Sequence, residues 1–252
     1  MSKDLFGHDK VEEAIERLRI FEPPEGYFGA FSGGKDSCVI KELCKMIGTK
    51  VDWHYNVTTI DPPELIYFIR KHHSDVVWER PEKPFLARMI EKGFPMRINR
   101  WCCAEYKENS GSGRRVLTGI RSAESQKRAG RKMVEQCFKD SSKTYVNIII
   151  DWTEQDVWVF IKERNLPYCR LYDEGFKRIG CVMCPCSNSR VREAEHWPRM
   201  KANFERAFIK LYEKNHGRPP YLRWGDGKEM FEWWLSPRGG GEGNPDQFVM
   251  FE

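Results

Sequence analysis

Apolar residues along the chain recur with two alternating periods. Residues 11–20, VEEAIERLRI, carry them at helical spacing and stop before Pro23-Pro24, which predicts an amphipathic helix. YFGAF (27–31) is a short apolar run that leads directly into SGGKDS (32–37). DSCVIKELCKMIG then returns to the helical period until Gly48 closes it. KVDWHYNVTT alternates as a strand does, and DPPELIYFIRKHH follows as a helix with prolines in its first turn. VVWER, RRVLTGIR and YVNIIID (145–151) predict a third, fourth and fifth strand. DWTEQDVWVFIKERN reads as a helix capped by Thr153, three residues ahead of Asp156, and residues 195–216 as a further amphipathic helix. Beyond it the pattern turns irregular through RPPYLRWGDGKEM, EMFEWWL and SPRGGGEGNPDQ, with GGGEG expected to be flexible.

Strands separated by helices predict an α/β fold. The expected architecture is a doubly wound, Rossmann-like, mostly parallel sheet with its site at the carboxyl ends of the strands. A C-terminal helical and irregular extension completes it. The expected division is an N-terminal helix over 1–20, the main domain over 21–192, and a helical, aromatic extension with a flexible tail over 193–252. There is no internal repeat.

Composition narrows the class. A chain of 252 residues suits one α/β domain with an appendage. Hydrophobic residues make up 40% and charged residues 31%, which excludes a disordered chain. No apolar run approaches the roughly 20 residues of a membrane span, so no membrane partner is expected. The opening MSKDLFGHDKVEEAIERL has no apolar core of a signal peptide, and a cytoplasmic location follows as the expectation. The net charge of +5 is mild, but residues 97–132 hold ten Lys/Arg against three Glu. With Trp101 and Tyr106 interleaved, that stretch would suit a polyanion or the lining of an anionic pocket. Nine cysteines in such a chain point to thiol, metal or redox chemistry rather than a disulfide scaffold.

SGGKDS, between a strand and a helix, is the most informative hexapeptide. Gly33 and Gly34 lack a Cβ, so backbone N–H groups can approach phosphate oxygens, and the following helix points its positive end there. Ser32 and Ser37 offer hydroxyls and Lys35 a mobile charge. Asp36 would repel phosphate alone, so a bridging Mg²⁺ is its natural partner. The GxxxxGK[ST] spacing of a Walker loop is absent.

The second signal is a cysteine quartet. Cys102-Cys103 and Cys181-x-x-Cys184 are two thiol pairs with 77 residues between them. A CxxC pair alone suits zinc, an iron–sulfur cluster or a redox dithiol. An adjacent pair is unlike a zinc ribbon, and four soft ligands from two distant loops suit a 4Fe–4S cluster, with structural zinc as the alternative. Arg100, Lys107, Lys177 and Arg178 would help keep the thiols deprotonated. Cys186 is an extra thiol in CVMCPC. Cys38 and Cys44 read as small hydrophobes, and His54, His72 and His73 as structural.

SGGKDS resembles the SGGxDS signature of the PP-loop (HUP-type) adenine-nucleotide hydrolases. TGIRSAESQKR (118–128) and DWTEQDVWVFIKERNLPYCRLYDEGFKRIGCVMC (151–184) are similar to the PAPS reductase superfamily, and the cysteine pattern to assimilatory adenylylsulfate reductases. The likeness spans about residues 25–190. It implies ATP and Mg²⁺ on the phosphate loop, an adenosine near Thr58, Thr59 and Asp61, and a pocket lined by Gly119, Arg121, Glu124, Ser125 and Arg128. It also implies Lys35, Asp36 and Arg121 in the catalytic role and a 4Fe–4S cluster on Cys102, Cys103, Cys181 and Cys184.

Two departures matter. The reductases carry a terminal ECGLH-like motif, whereas no cysteine follows Cys186 here. They also have a modified phosphate loop in place of the ATP-type SGGKDS. Both favour release of pyrophosphate from ATP with adenylation of an acceptor, as in a DndC-like branch linked to DNA sulfur modification. The alternatives are a sulfonucleotide reductase that uses an external thiol, and a non-catalytic nucleotide or Fe–S sensor or nucleic-acid-binding module. The acceptor stays open among tRNA, DNA, a small metabolite and a protein thiol. A sulfur-donor protein and a homo-oligomer are compatible partners.

Overall fold

A computed structural model describes residues 9–236. The glycine-rich GGGEG segment lies outside them. The described residues fall into two compact units interleaved along the chain. The first takes residues up to Asn56, then Pro63–Glu79 and Asn109–Ile179. The second takes Val57–Pro62, Arg80–Glu108 and the residues from Gly180 onwards.

The first unit holds the sheet. Its elements are α1 (Lys10–Phe21), β1 (Tyr27–Ala30), α2 (Lys35–Ile47), β2 (Val51–Asn56), α3 (Pro63–His72) and β3 (Val77–Glu79). They continue with β4 (Arg115–Leu117), α6 (Gln126–Ala129), β5 (Val134–Gln136), β6 (Thr144–Val146) and α7 (Glu154–Glu163). The six strands run in the order β3-β2-β1-β4-β6-β5. All pairings are parallel except β5 with β6. This is the expected doubly wound, mostly parallel α/β sheet. Its reversal of strand order falls between β1 and β4, where such sheets open a crevice at their carboxyl ends.

Local chemistry explains the helices. Asp9 accepts from the Val11 N–H at the start of α1, and Gly48 closes α2 in the left-handed conformation with φ 71°. At α7 the capping box is formed on both sides: Thr153 accepts from the Asp156 N–H, and the Asp156 carboxylate accepts from the Thr153 N–H at 2.7 Å. The core of this unit buries Leu18, Tyr27, Val39, Ile40, Leu43, Leu65, Ile69, Val116, Val146, Trp152 and Phe160. Removing these side chains from water is the main stabilising contribution.

The sequence and the structure part company beyond β4. The expected fifth strand over 145–151 is only Thr144–Val146, because the chain turns at Asn147. The buried Asn147 accepts from the Thr118 hydroxyl and donates to the Lys132 carbonyl. The antiparallel edge strand β5 has no counterpart in the periodicity.

The second unit is helical: α4 (Phe85–Lys92), α5 (Trp101–Tyr106), α8 (Arg190–His196), α9 (Pro198–Asn215) and α10 (Gly227–Leu235). Residues 195–216, expected as one helix, are divided at Pro198, which begins α9. α9 packs against α4, α8 and α10 around buried Phe85, Met89, Phe94, Phe204, Phe208, Met230 and Trp234. Trp101 stacks on Phe85 with ring centroids 5.7 Å apart, and the Tyr106 hydroxyl donates to the Lys83 carbonyl. These two aromatics therefore anchor α5. No helix among the described residues is long and apolar enough to cross a membrane.

Candidate functional site

The loop Ser32–Gly34 joins β1 to α2 at the sheet's reversal point. Gly33 has φ 70°, and a Cβ there would lie 2.7 Å from methyl groups of Leu65 and Ile69. Gly119, just past β4, is constrained by contact alone: a Cβ would lie 2.9 Å from the Asp36 Cβ. Gly33 thus lets the loop pass over α3, and Gly119 lets the segment after β4 reach the start of α2. Gly34 caps α2 and, as a glycine, supplies no side-chain acceptor of its own to the helix end, the kind of end that can offer N–H groups to an anion. The hydroxyls brace the loop itself. Ser37 Oγ donates to the Gly34 carbonyl at 2.8 Å, Ser32 Oγ donates to Ser37 Oγ at 3.2 Å, and the Gly34 N–H donates to Ser32 Oγ. The Lys35 N–H donates to the Tyr172 hydroxyl at 3.0 Å.

Two buried cations stand at this loop. Lys35 is 5% exposed and Arg121 only 2%. Arg121 donates from Nε to Asp36 Oδ1 (2.6 Å), from Nη2 to Glu154 Oε2 (2.7 Å) and from Nη1 to the Trp152 carbonyl. Lys35 Nζ lies 3.5 Å from Asp36 Oδ2, 3.4 Å from Glu154 Oε1 and 5.4 Å from the Tyr172 ring centroid. The Asp36 carboxylate, expected to face a bridging Mg²⁺, is held by these two cations. Burial pushes the Glu154 carboxyl up, but Lys35 and Arg121 outweigh it and leave it below the usual range. Burial likewise opposes the Arg121 charge, and Asp36 and Glu154 restore it.

Glu154 was not legible as a site residue. An acidic residue in the first turn of a helix is ordinary complementarity to the helix dipole, so DWTEQD carries no separate signal. The remaining residues of the arginine loop form a self-contained turn. Glu124 accepts from the Arg121 N–H at 2.9 Å and pairs with Arg128, while Ser125 caps α6.

Thr58, Thr59 and Asp61 belong to the second unit. Thr58 donates to Asp61 from both its N–H (2.8 Å) and its hydroxyl (2.7 Å), and accepts from the Cys181 thiol at 3.5 Å. Thr59 Oγ1 accepts from the Phe85 N–H, the first of α4. Their hydroxyls hold the chain in place locally.

All four quartet cysteines also belong to the second unit. Cys102 and Cys103 open α5, and Cys181 and Cys184 flank the turn at Met183, which has φ 54°. The hydrogen bond with Cys103 and burial keep the proton on Cys102, whereas the same hydrogen bond and the cations Lys107 and Arg100 lower Cys103 to about 7. The exposed Lys107 turns its ammonium toward Cys181, whose charge raises its pKa. Cys186 is lowered to about 6 by the Cys184 hydrogen bond and by Arg100, whose Nη1 lies 4.0 Å from the sulfur. The loop is latched by buried Glu193, which accepts from the Met183 N–H (2.6 Å) and the Ser187 (2.5 Å) and Ser189 (3.0 Å) hydroxyls. Among the described residues no three His, Cys, Asp or Glu side chains converge as a site for a single metal ion. A cubane asks for one thiolate per iron instead, and four thiols with two adjacent cations are a donor set of that chemistry.

Comparison with known proteins gives the same fold and a family. Residues 26–187 match the phosphoadenosine phosphosulfate reductase domain family. An uncharacterized protein of Methanocaldococcus jannaschii is 30% identical over 198 residues, covering 73% of this chain and 39% of its own length. An adenosine 5′-phosphosulfate reductase of Shouchella clausii is 40% identical over 68 residues, 27% of this chain and 28% of that protein. The chain thus spans well under half of these curated relatives. The crystal structure of phosphoadenylyl-sulfate reductase from Candida auris, a phosphate complex, superposes with a TM-score of 0.52 at 21% identity. It covers 72% of this chain and 97% of that one, a likeness of fold.

Proposed function

The chain belongs to the phosphoadenosine phosphosulfate reductase domain family, an enzyme family, and from that premise we propose that it is an ATP pyrophosphatase-type enzyme that adenylates an acceptor. The observation that carries this reading is the pair of buried cations, Lys35 and Arg121, beside a glycine loop at the sheet's reversal point. An acceptor oxygen attacks the α-phosphorus, the bond to the bridging oxygen breaks, and pyrophosphate leaves with the bonding electrons. Charge builds on the leaving pyrophosphate, and Lys35 and Arg121 are fixed donors for that charge. Mg²⁺ would take most of its ligands from the phosphates, with Asp36 as the nearby carboxylate. No protein nucleophile is required.

Cys102, Cys103, Cys181 and Cys184 are the residues that would hold a 4Fe–4S cluster, with Lys107 and Arg100 offsetting its negative charge. Such a cluster supplies one-electron chemistry or an electrostatic and structural anchor when bound.

A second reading, sulfonucleotide reduction with an external thiol, draws on the relatives that bear the reductase name. The deciding experiment measures binding of ATP–Mg²⁺, adenylylsulfate and its 3′-phosphorylated form by calorimetry, then assays pyrophosphate and sulfite release. ATP should bind most tightly and yield pyrophosphate with an acceptor. Lys35→Ala should weaken ATP by about 1.5–3 kcal/mol, the scale of a charge-assisted contact. Sulfite production with thioredoxin or glutathione at enzymatic rates would overturn the assignment. Tight ATP binding without pyrophosphate release would mark a sensor.

A further inference from the structure

The phosphate loop site is electrically closed in this structure. Two cations, Lys35 and Arg121, face two carboxylates, Asp36 and Glu154. A neutral group of four exerts little net attraction on a polyanion, so an incoming phosphate chain must replace one of the two acids.

The acids differ in how firmly they are held. The Asp36 side chain is 18% exposed and sits at the second position of α2, where its oxygens face Arg121 Nε and Lys35 Nζ. The Glu154 side chain is 56% exposed and reaches the cations from α7 on a longer stem. Besides the cations, Glu154 accepts among the described residues only from the Trp158 indole N–H (3.1 Å), which lies on the same helix. Glu154 can therefore swing into water as a carboxylate that is already half-solvated. Lys35 and Arg121 cannot leave, because both are buried.

We propose that Glu154 is a displaceable counter-anion. It sits on Lys35 and Arg121 in the place the terminal phosphates of the nucleotide take, and it returns as pyrophosphate departs. This deepens the nucleotide reading and rests on it. Exchange of one anion for another keeps both buried cations paired at every stage, so no buried charge is left without a partner. Glu154 thereby weakens ground-state binding of phosphate chains and hastens product release.

A rival role gives the opposite sign. If Glu154 and Asp36 together held a divalent cation, removing the Glu154 charge would weaken nucleotide binding. In the present geometry every oxygen of the two carboxylates already faces a cation, which favours displacement.

Glu154→Gln separates the two, because it keeps the side chain's shape and removes its charge. Inorganic pyrophosphate and ATP are titrated into wild type and variant by calorimetry, with Mg²⁺ and with EDTA. Pyrophosphate should bind the variant about five- to tenfold more tightly, as expected for one charge-assisted contact made by a half-exposed group. The variant's melting temperature should be lower without anions and should rise more than the wild type's on adding pyrophosphate. Glu154→Ala should behave alike, showing that charge rather than the amide is responsible. Equal or weaker pyrophosphate binding by both folded variants, with wild-type binding intact, overturns the counter-anion. Failure of the wild type to bind either ligand overturns the nucleotide reading itself.

Discussion

Single residues at the loop show how little freedom the site has. Of the two glycines in SGG, Gly33 is the constrained one: it combines φ 70° with methyl groups 2.7 Å from a would-be Cβ. At Gly34 the nearest atoms, hydroxyls of Ser32 and Tyr172, would be 3.3 and 3.4 Å away. Gly33→Ala should therefore cost about 2 kcal/mol or more in urea unfolding, from the left-handed backbone and the clash together. Gly34→Ala should cost clearly less. A second residue-scale consequence concerns His73, which packs against Phe31 and Phe68 with its Nε2 3.7 Å from the Cys38 sulfur. Burial holds its pKa down at about 4. The unfolded chain, at about 6.5, binds the proton first, so stability falls as pH drops from 6.5 towards 4. Between pH 7 and 5 this one group should remove about 2 kcal/mol. His73→Gln should flatten that part of the stability–pH curve, and an unchanged slope would refute the assignment.

At the scale of elements, legibility followed how local the cause was. The α7 cap, the prolines of α3 and the Gly48 stop depend on residues three or four apart, and all were readable. β5 and the turn at Asn147 depend on bonds between Thr118, Lys132 and Asn147, and no local period encodes such contacts. The second unit's cysteine loop is the same kind of case. Its latch, Glu193, is an unremarkable glutamate in sequence yet accepts three hydrogen bonds from residues 183–189. Replacing it by alanine leaves those donors without their acceptor and should loosen the loop. Glu193→Ala should raise the alkylation rate of Cys184 and Cys186 several-fold in chelator-treated protein, read by mass spectrometry. The labelling of Cys103, which makes none of these bonds, should stay nearly constant.

Across the molecule, the basic run at 97–132 is partly engaged in ion pairs within the chain. Its residues divide between the two units, and many of its charges have internal partners. Arg114 donates to Asp52, Arg131 pairs with Glu135, Arg128 with Glu124, and Arg121 is buried against Asp36 and Glu154. A charge run thus reads as a polyanion patch in sequence although much of it holds the fold. The cysteine quartet is the reverse case: residues far apart in sequence lie in one unit. Cys102-Cys103 and Cys181-x-x-Cys184 have 77 residues between them, so a cluster bound to all four would close a long loop and couple α5 to the 181–184 turn. Binding a group only in the folded state adds its binding free energy to stability. Anaerobically purified protein should therefore be brown, with about four iron and about four sulfide per chain, one iron for each thiolate. Removing the cluster should lower the melting temperature. Cys103→Ser and Cys184→Ser should lose both the colour and that increment, whereas Cys44→Ser, buried in the first unit, should keep the colour. Stoichiometric zinc without sulfide would refute the cluster. So would a full complement of iron and sulfide in Cys184→Ser, because the quartet would then not be the ligand set.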